Sequence, residues 1–159
     1  MFLYVFRHGD AKPKSEDPER GLSDRGLEEV RAVCAAFSRT DPQIQEIWHS
    51  GKTRAEQTAG LLAAGLKIEG RVQGRSGLNP NDPLPPLVEE LERREKNLVI
   101  VGHLPQLGKL ISVLLLGAER ELLDFPSAGL VCLERSADSW RLNWFLTPEL
   151  VLPPAPNRH

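Results

Sequence analysis

Only two cysteines occur in the 159 residues, Cys34 and Cys132, far apart and in no CxxC pair or Cys/His cluster. That spacing excludes a zinc centre of the usual cysteine-rich kind. One falls on the apolar side of a predicted helix and the other in a predicted strand, so both are expected as buried thiols. No apolar run is long enough to cross a bilayer. The N-terminus has neither the basic region nor the apolar length of a signal peptide. A reducing cytoplasm is the expected setting. The chain also lacks a charge surplus, with a net charge of -2 and a pI near 6.1. A general nucleic-acid binder would be basic, so any anion recognition must come from local groups. There is no internal repeat and no sign of a second domain.

What is there has the proportions of a globular domain, 40% hydrophobic and 26% charged. A chain of this length can bury about two-thirds of its unfolded surface. The stretch FLYVFRHGD, residues 2–10, is apolar and rich in β-formers up to Arg7, and reads as a strand buried on both faces. Its polar end, Arg7-His8-Gly9-Asp10, then sits at the carboxyl edge of a parallel sheet, where open α/β folds bind ligands. A second such unit occurs at NLVIV, residues 97–101, which runs into Gly102-His103-Leu104-Pro105 and a helix reaching Gly117. If the two strands are parallel neighbours, His8 and His103 face one crevice.

The rest of the chain fills in around these units. Residues 11–22 are polar with two prolines and form a loop ending near Arg20. Ser23 suits the N-cap of a helix over 23–39, with Leu27, Val30, Cys34 and Phe37 on one face. Ile44–His49 reads as a strand and Ser50-Gly51 as the turn out of it. The helix over 52–65 has Gly65 as its stop. Lys52 and Arg54 fall in its first turn, the wrong end for cations unless an anion joins them. A short strand is expected around 71–73. The loop GLNPNDPLPP follows, then a charged surface helix over 87–96. Residues 118–128 form a connector with one helical turn. Leu130–Glu134 and Trp140–Leu146 form an antiparallel hairpin at the sheet edge. The domain thus spans 1–147, and residues 148–159 form a proline-rich loose tail in which His159 is a poor catalytic candidate. The fold class is α/β, a three-layer α/β/α sandwich with a mostly parallel central sheet and an antiparallel edge hairpin.

Arg7, His8, Arg54 and His103 fall at predicted strand ends or helix starts. A histidine with one nitrogen pinned as N–H is a competent nucleophile at the other. Arginine presents a planar fork that matches phosphate oxygens. Phosphoryl transfer needs little beyond alignment and positive charge around those oxygens. Metal binding fits less well, because the arginines repel a cation and no pair of carboxylate ligands is evident.

These motifs, RHGD at 7–10, ERGLSDRG at 19–26, SGKTRAEQT at 50–58 and GHLP at 102–105, span nearly the whole chain. In that order and spacing the sequence resembles the histidine phosphatase superfamily, also called the phosphoglycerate mutase-like fold, and within it the SixA-type phosphohistidine phosphatases. The resemblance implies that His8 becomes phosphorylated, that Arg7 and Arg54 clamp the phosphoryl oxygens, and that His103 donates to the same group. It implies substrate-binding roles for Arg20 and Gly9, and neither metal nor organic cofactor. The implied partner is a protein bearing phosphohistidine, such as a histidine phosphotransfer domain. Phosphate or another oxyanion would occupy the pocket of a monomer that binds neither nucleic acid nor membrane.

The sequence departs from that family pattern twice. Mutases and many acid phosphatases supply a carboxylic acid to the leaving oxygen. Here the middle loop offers only Asp82, with Asp10 as the other candidate acid. A phosphoramidate leaves more readily than an alkoxide, so the missing acid favours phosphohistidine. A broad small-molecule phosphomonoesterase is the alternative, and a non-catalytic phosphoprotein-binding module a second. The other departure is Ser50-Gly51 where relatives have Ser-Pro, which is expected to loosen the start of the helix bearing Arg54.

Overall fold

Strand β1, Phe2–Arg7, is flanked by β4, Leu98–Gly102, on one side and β5, Leu130–Ser136, on the other. The structure, a computed structural model, describes residues 1–68 and 70–153. Among these, β2 (Glu46–His49) lies beside β4, β3 (Arg71–Gly74) forms one edge and β6 (Ser139–Leu146) the other, in the order β3-β2-β4-β1-β5-β6. The first four strands of that order run parallel, β5 is antiparallel to β1, and β6 is antiparallel to β5.

The unbroken apolar run of β1 has a simple cause. Alternate side chains enter two different cores. Leu3 and Val5 pack with Ile100 against α3 (Pro85–Arg93) and α4 (Gln106–Leu116). Tyr4 and Phe6 pack with Val99 and Val101 against α1 (Asp24–Ser38) and α2 (Thr53–Leu66). The expected three layers are therefore present, with the sheet in the middle. Both cysteines are buried free thiols, and burial pushes each up to about 12.

Helix α1 is fastened to the turn after β1. Ser23 caps it by accepting the Gly26 N–H at 3.0 Å, and its hydroxyl donates to Asp10 Oδ2 at 2.6 Å. The Ser23 N–H donates to the Asp10 carbonyl. This approach is so close that a Cβ on Gly26 would stand 2.1 Å from that carbonyl oxygen. Helix propensity alone would make Gly26→Ala stabilising by about 1 kcal/mol. The collision with rigid backbone reverses the sign, and a loss of about 1–3 kcal/mol is expected in urea unfolding.

Four expectations are corrected. Helix α2 does not stop at Gly65, which stays helical; Lys67 makes the left-handed reversal, with φ 54°. Helix α3 begins two residues early because Pro85 suits a first turn, and it ends at Arg93. The connector after α4 has no helical turn. The stretch expected to be a loose tail starts with a short helix, α5 (Pro148–Val151), whose Val151 packs on the core with Tyr4 and Phe37. Residues 154–159, including His159, lie outside the described residues.

Candidate active site

Sheet register brings the site together. Arg7 of β1 pairs with Gly102 of β4, and Val101 pairs with His49 of β2. Three adjacent parallel strands therefore end at one level, and His8, His103 and Ser50 each follow by one residue. The His8 and His103 rings lie 4.8 Å apart, centre to centre, at 50°.

The Nδ1–H of His8 donates to the Gly9 carbonyl at 2.7 Å. That fixes the tautomer and leaves a lone pair on Nε2. Gly9 in turn donates its own N–H to Thr58 Oγ1 at 3.1 Å, and the Thr58 hydroxyl donates to the Arg54 carbonyl at 2.8 Å. Thr58 thus ties the turn carrying His8 to the helix carrying Arg54. Gly9 touches Val30 and Leu22 closely, with 2.6 Å between a hypothetical Cβ and Val30 Cγ2.

Arg7 is anchored by one bond, from its guanidinium to the Phe125 carbonyl at 2.7 Å. Its Nε is buried without a partner among the described residues, as is Nδ1 of His103. Arg20 holds a left-handed backbone, φ 51°, and donates Nε–H to the Lys12 carbonyl at 3.1 Å. Its charge reaches both His8 and Arg54.

The neighbouring cations act on both rings. Burial, then the charges of Arg54, Arg7 and Arg20, push His8 down to about 4, against the opposing pull of the Gly9 bond. Burial, then His8, Arg54, Lys52 and Arg7, push His103 down to about 3. Arg54 is itself lowered, by burial and then by Arg20. Both imidazoles are therefore neutral at pH 7, with the charges of Arg7 and Arg54 acting on each.

A pH dependence follows. Both histidines bind protons more weakly folded than unfolded, so the unfolded chain takes up more protons as pH falls below about 6.5. Stability is therefore full above that pH and is lost on acidification towards 4 and 3. While each group titrates, the slope is at most about 1.4 kcal/mol per pH unit. Urea midpoints at pH 7, 5.5 and 4.5 should fall in that order, and less steeply in His8→Ala.

The two candidate acids are engaged elsewhere. Asp10 accepts the Ser23 hydroxyl, and Asp82 Oδ2 accepts the Asn79 N–H at 2.9 Å within its own turn. The middle loop is pinned by buried Gln106, whose Nε2 donates to the carbonyls of Gly77 at 2.7 Å and Asp82 at 3.3 Å. Gln106, Thr58 and Ser50 all went unassigned in the sequence. Ser50 Oγ stands 2.6 Å from His103 Nε2. Gly51 does not loosen the loop. Its φ is 88° and its N–H donates to His49 Nδ1 at 3.0 Å. Proline can supply neither the angle nor the donor. No group of three or more His, Cys, Asp or Glu is arranged around a metal position among the described residues. A groove of about 930 Å³ opens at the opposite end of the sheet, but its described lining holds no histidine.

The model of the histidine phosphatase superfamily, branch 1, matches residues 3–79. The chain belongs to this superfamily. The matched stretch carries Arg7, His8, Arg20 and Arg54, and the β1–β4 register adds His103. An uncharacterised protein of Picosynechococcus is 33% identical over 144 residues, covering 86% of this chain and 87% of the relative. Phosphohistidine phosphatase SixA of Escherichia coli K12 is 24% identical over 153 residues, covering 93% and 94%. The structure of protein histidine phosphatase SixA complexed with tungstate superposes with a TM-score of 0.85 at 22% identity, covering 96% and 100%. The fold expected for a histidine phosphatase is present, and the protein is a phosphatase of that family.

Proposed function

We propose that this histidine phosphatase hydrolyses protein-bound phosphohistidine, with the phosphoryl group passing through Nε2 of His8. One contact carries the proposal: the Nδ1–H of His8 is held by the Gly9 carbonyl, so the nucleophilic lone pair is already on Nε2. Burial, and then the charges of Arg54, Arg7 and Arg20, keep the ring neutral. Nε2 attacks phosphorus and the bond from phosphorus to the substrate imidazole breaks. That imidazole carries a proton on its other nitrogen and leaves neutral, taking the bonding pair. Phospho-His8 is then a cation stabilised by the Gly9 carbonyl. Water attacks phosphorus, the Nε2–P bond breaks, inorganic phosphate takes the water's proton, and neutral His8 returns. Arg7, Arg54 and His103 surround the equatorial oxygens, where transition-state charge collects. Arg20 lies at the rim, suited to the same phosphate or to the protein bearing it.

Phosphohistidine is favoured over a phosphomonoester by the state of the carboxylates. Asp10 and Asp82 are held by Ser23 and Asn79, and an alkoxide would lack a proton donor. The name of the Escherichia coli relative points to the same substrate class. The test is a comparison of substrates. A phosphorylated histidine phosphotransfer domain should be turned over with a higher kcat/KM than sugar phosphates or an aryl phosphate. The reverse order would establish a small-molecule phosphomonoesterase.

A further inference from the structure

The loop after β2 carries a contact that the proposed reaction does not yet use. Ser50 Oγ lies 2.6 Å from His103 Nε2. The same oxygen accepts the Lys52 N–H at 3.3 Å. Meanwhile Nδ1 of His103 is buried and has no partner among the described residues. We propose that Ser50 is a positioning residue that sets the tautomer of His103: its hydroxyl donates to Nε2, and the ring proton stays on Nδ1. This rests on the phosphoryl-transfer reading above and deepens it by assigning the donor atom.

Three observations converge. Oγ accepts the Lys52 N–H, and its hydroxyl hydrogen is available to Nε2, the direction in which Nε2 is the acceptor. A neutral imidazole with one accepting nitrogen carries its proton on the other. Nδ1–H is then a buried donor without an acceptor, a state that costs free energy until an oxyanion arrives. Arg7 Nε is a second buried donor in the same condition. The Arg7 charge, after burial and the nearer groups His8, Arg54 and Lys52, also acts on the His103 ring. An anion between them satisfies both at once.

Ser50 is held for this purpose by a frame that surrounds it. The His49 carbonyl accepts the Arg75 N–H at 2.8 Å, and the His49 ring accepts the Gly51 N–H. His49 is buried. The left-handed Gly51 thus bends the chain over the His49 ring and brings Ser50 Oγ to His103.

Nitrogen-15 NMR of histidine-labelled protein at pH 7 tests the assignment. For His103, the expected spectrum has a protonated Nδ1 and a bare Nε2, and added inorganic phosphate shifts the Nδ1–H signal. A proton on Nε2 would overturn the proposal. Ser50→Ala should give a mixture of tautomers and lower kcat about tenfold, the loss of one hydrogen bond, with KM changed less than twofold. Ser50→Thr, which keeps the hydroxyl, should restore both spectrum and rate. An unchanged tautomer and rate in Ser50→Ala would equally overturn it. The wild-type spectrum needs no substrate. Failure to hydrolyse phosphohistidine with the Nδ1–H tautomer intact would therefore count against the substrate and leave the role of Ser50 standing.

Discussion

His8→Ala should lose phosphohistidine hydrolysis by at least about 10³-fold, the usual consequence of deleting a nucleophile. The loss should come with no phosphorylated intermediate in rapid-quench intact-mass measurements, whereas the wild type should carry one phosphoryl group of acid-labile phosphoramidate character. Structure should survive, because His8 lies at the end of β1 and its ring contributes only one hydrogen bond, to its neighbour's carbonyl. Phosphate binding should survive as well, since Arg7, Arg54 and His103 remain. That combination separates catalysis from capture. A merely phosphoprotein-binding module would keep its biological role in His8→Ala. A variant that still turned over phosphohistidine at more than a tenth of the wild-type rate would place the nucleophile elsewhere.

How much of this was legible in the sequence depends on where each property is stored. The centre of the sheet was easy. Phe2–Phe6 and Leu98–Val101 are apolar at every position because both faces of β1 and β4 are covered, and two residues beyond each run stands a histidine whose place at the carboxyl edge follows from strand direction. The edges were harder. Val72 in β3 is 38% exposed, so that strand has little apolar signature. Helix α5 is a single turn held by packing on α1 rather than by its own propensity, and a proline-rich stretch gave no hint of it.

The same division holds within the site. Arg7, His8, Arg54 and His103 have side chains whose chemistry is unusual enough to be singled out by type. Ser50, Thr58 and Gln106 are ordinary polar residues. Their roles exist only through bonds to partners 53, 49 and 29 residues away. No local pattern encodes such pairs. The Ser-Gly departure shows the limit most clearly. Flexibility was the natural expectation for a glycine replacing proline, yet the position needs a positive φ and a free N–H to reach His49.

Arg54→Ala should separate function from stability in opposite directions. Among the described residues the Arg54 side chain makes no hydrogen bond and no ion pair, and its charge lowers both histidines. It also sits in the first turn of α2, one residue after Thr53 and two after Lys52, where the helix dipole disfavours cations. Removing it should leave the free protein as stable as the wild type, or a few tenths of a kcal/mol more stable. Function should suffer in proportion to the transition-state charge Arg54 meets, a fall of about 10²–10³-fold in kcat/KM. Inorganic phosphate gives the matching equilibrium measurement. At a concentration 100 times the wild-type Kd, mass action stabilises the wild type by about 2.7 kcal/mol, and a variant binding 100-fold more weakly gains about 0.4 kcal/mol. In a chain of this size that is a rise in Tm of about 5–10 °C reduced to about 1 °C. Arg54→Lys keeps the charge without the planar fork and should fall between the two. A variant that unfolds more easily when free yet keeps the full phosphate shift would mean that Arg54 braces the helix and that the anion is held by other groups. A cation placed against the dipole, against its neighbours and without a partner makes physical sense only if the charge that offsets all three arrives with the substrate.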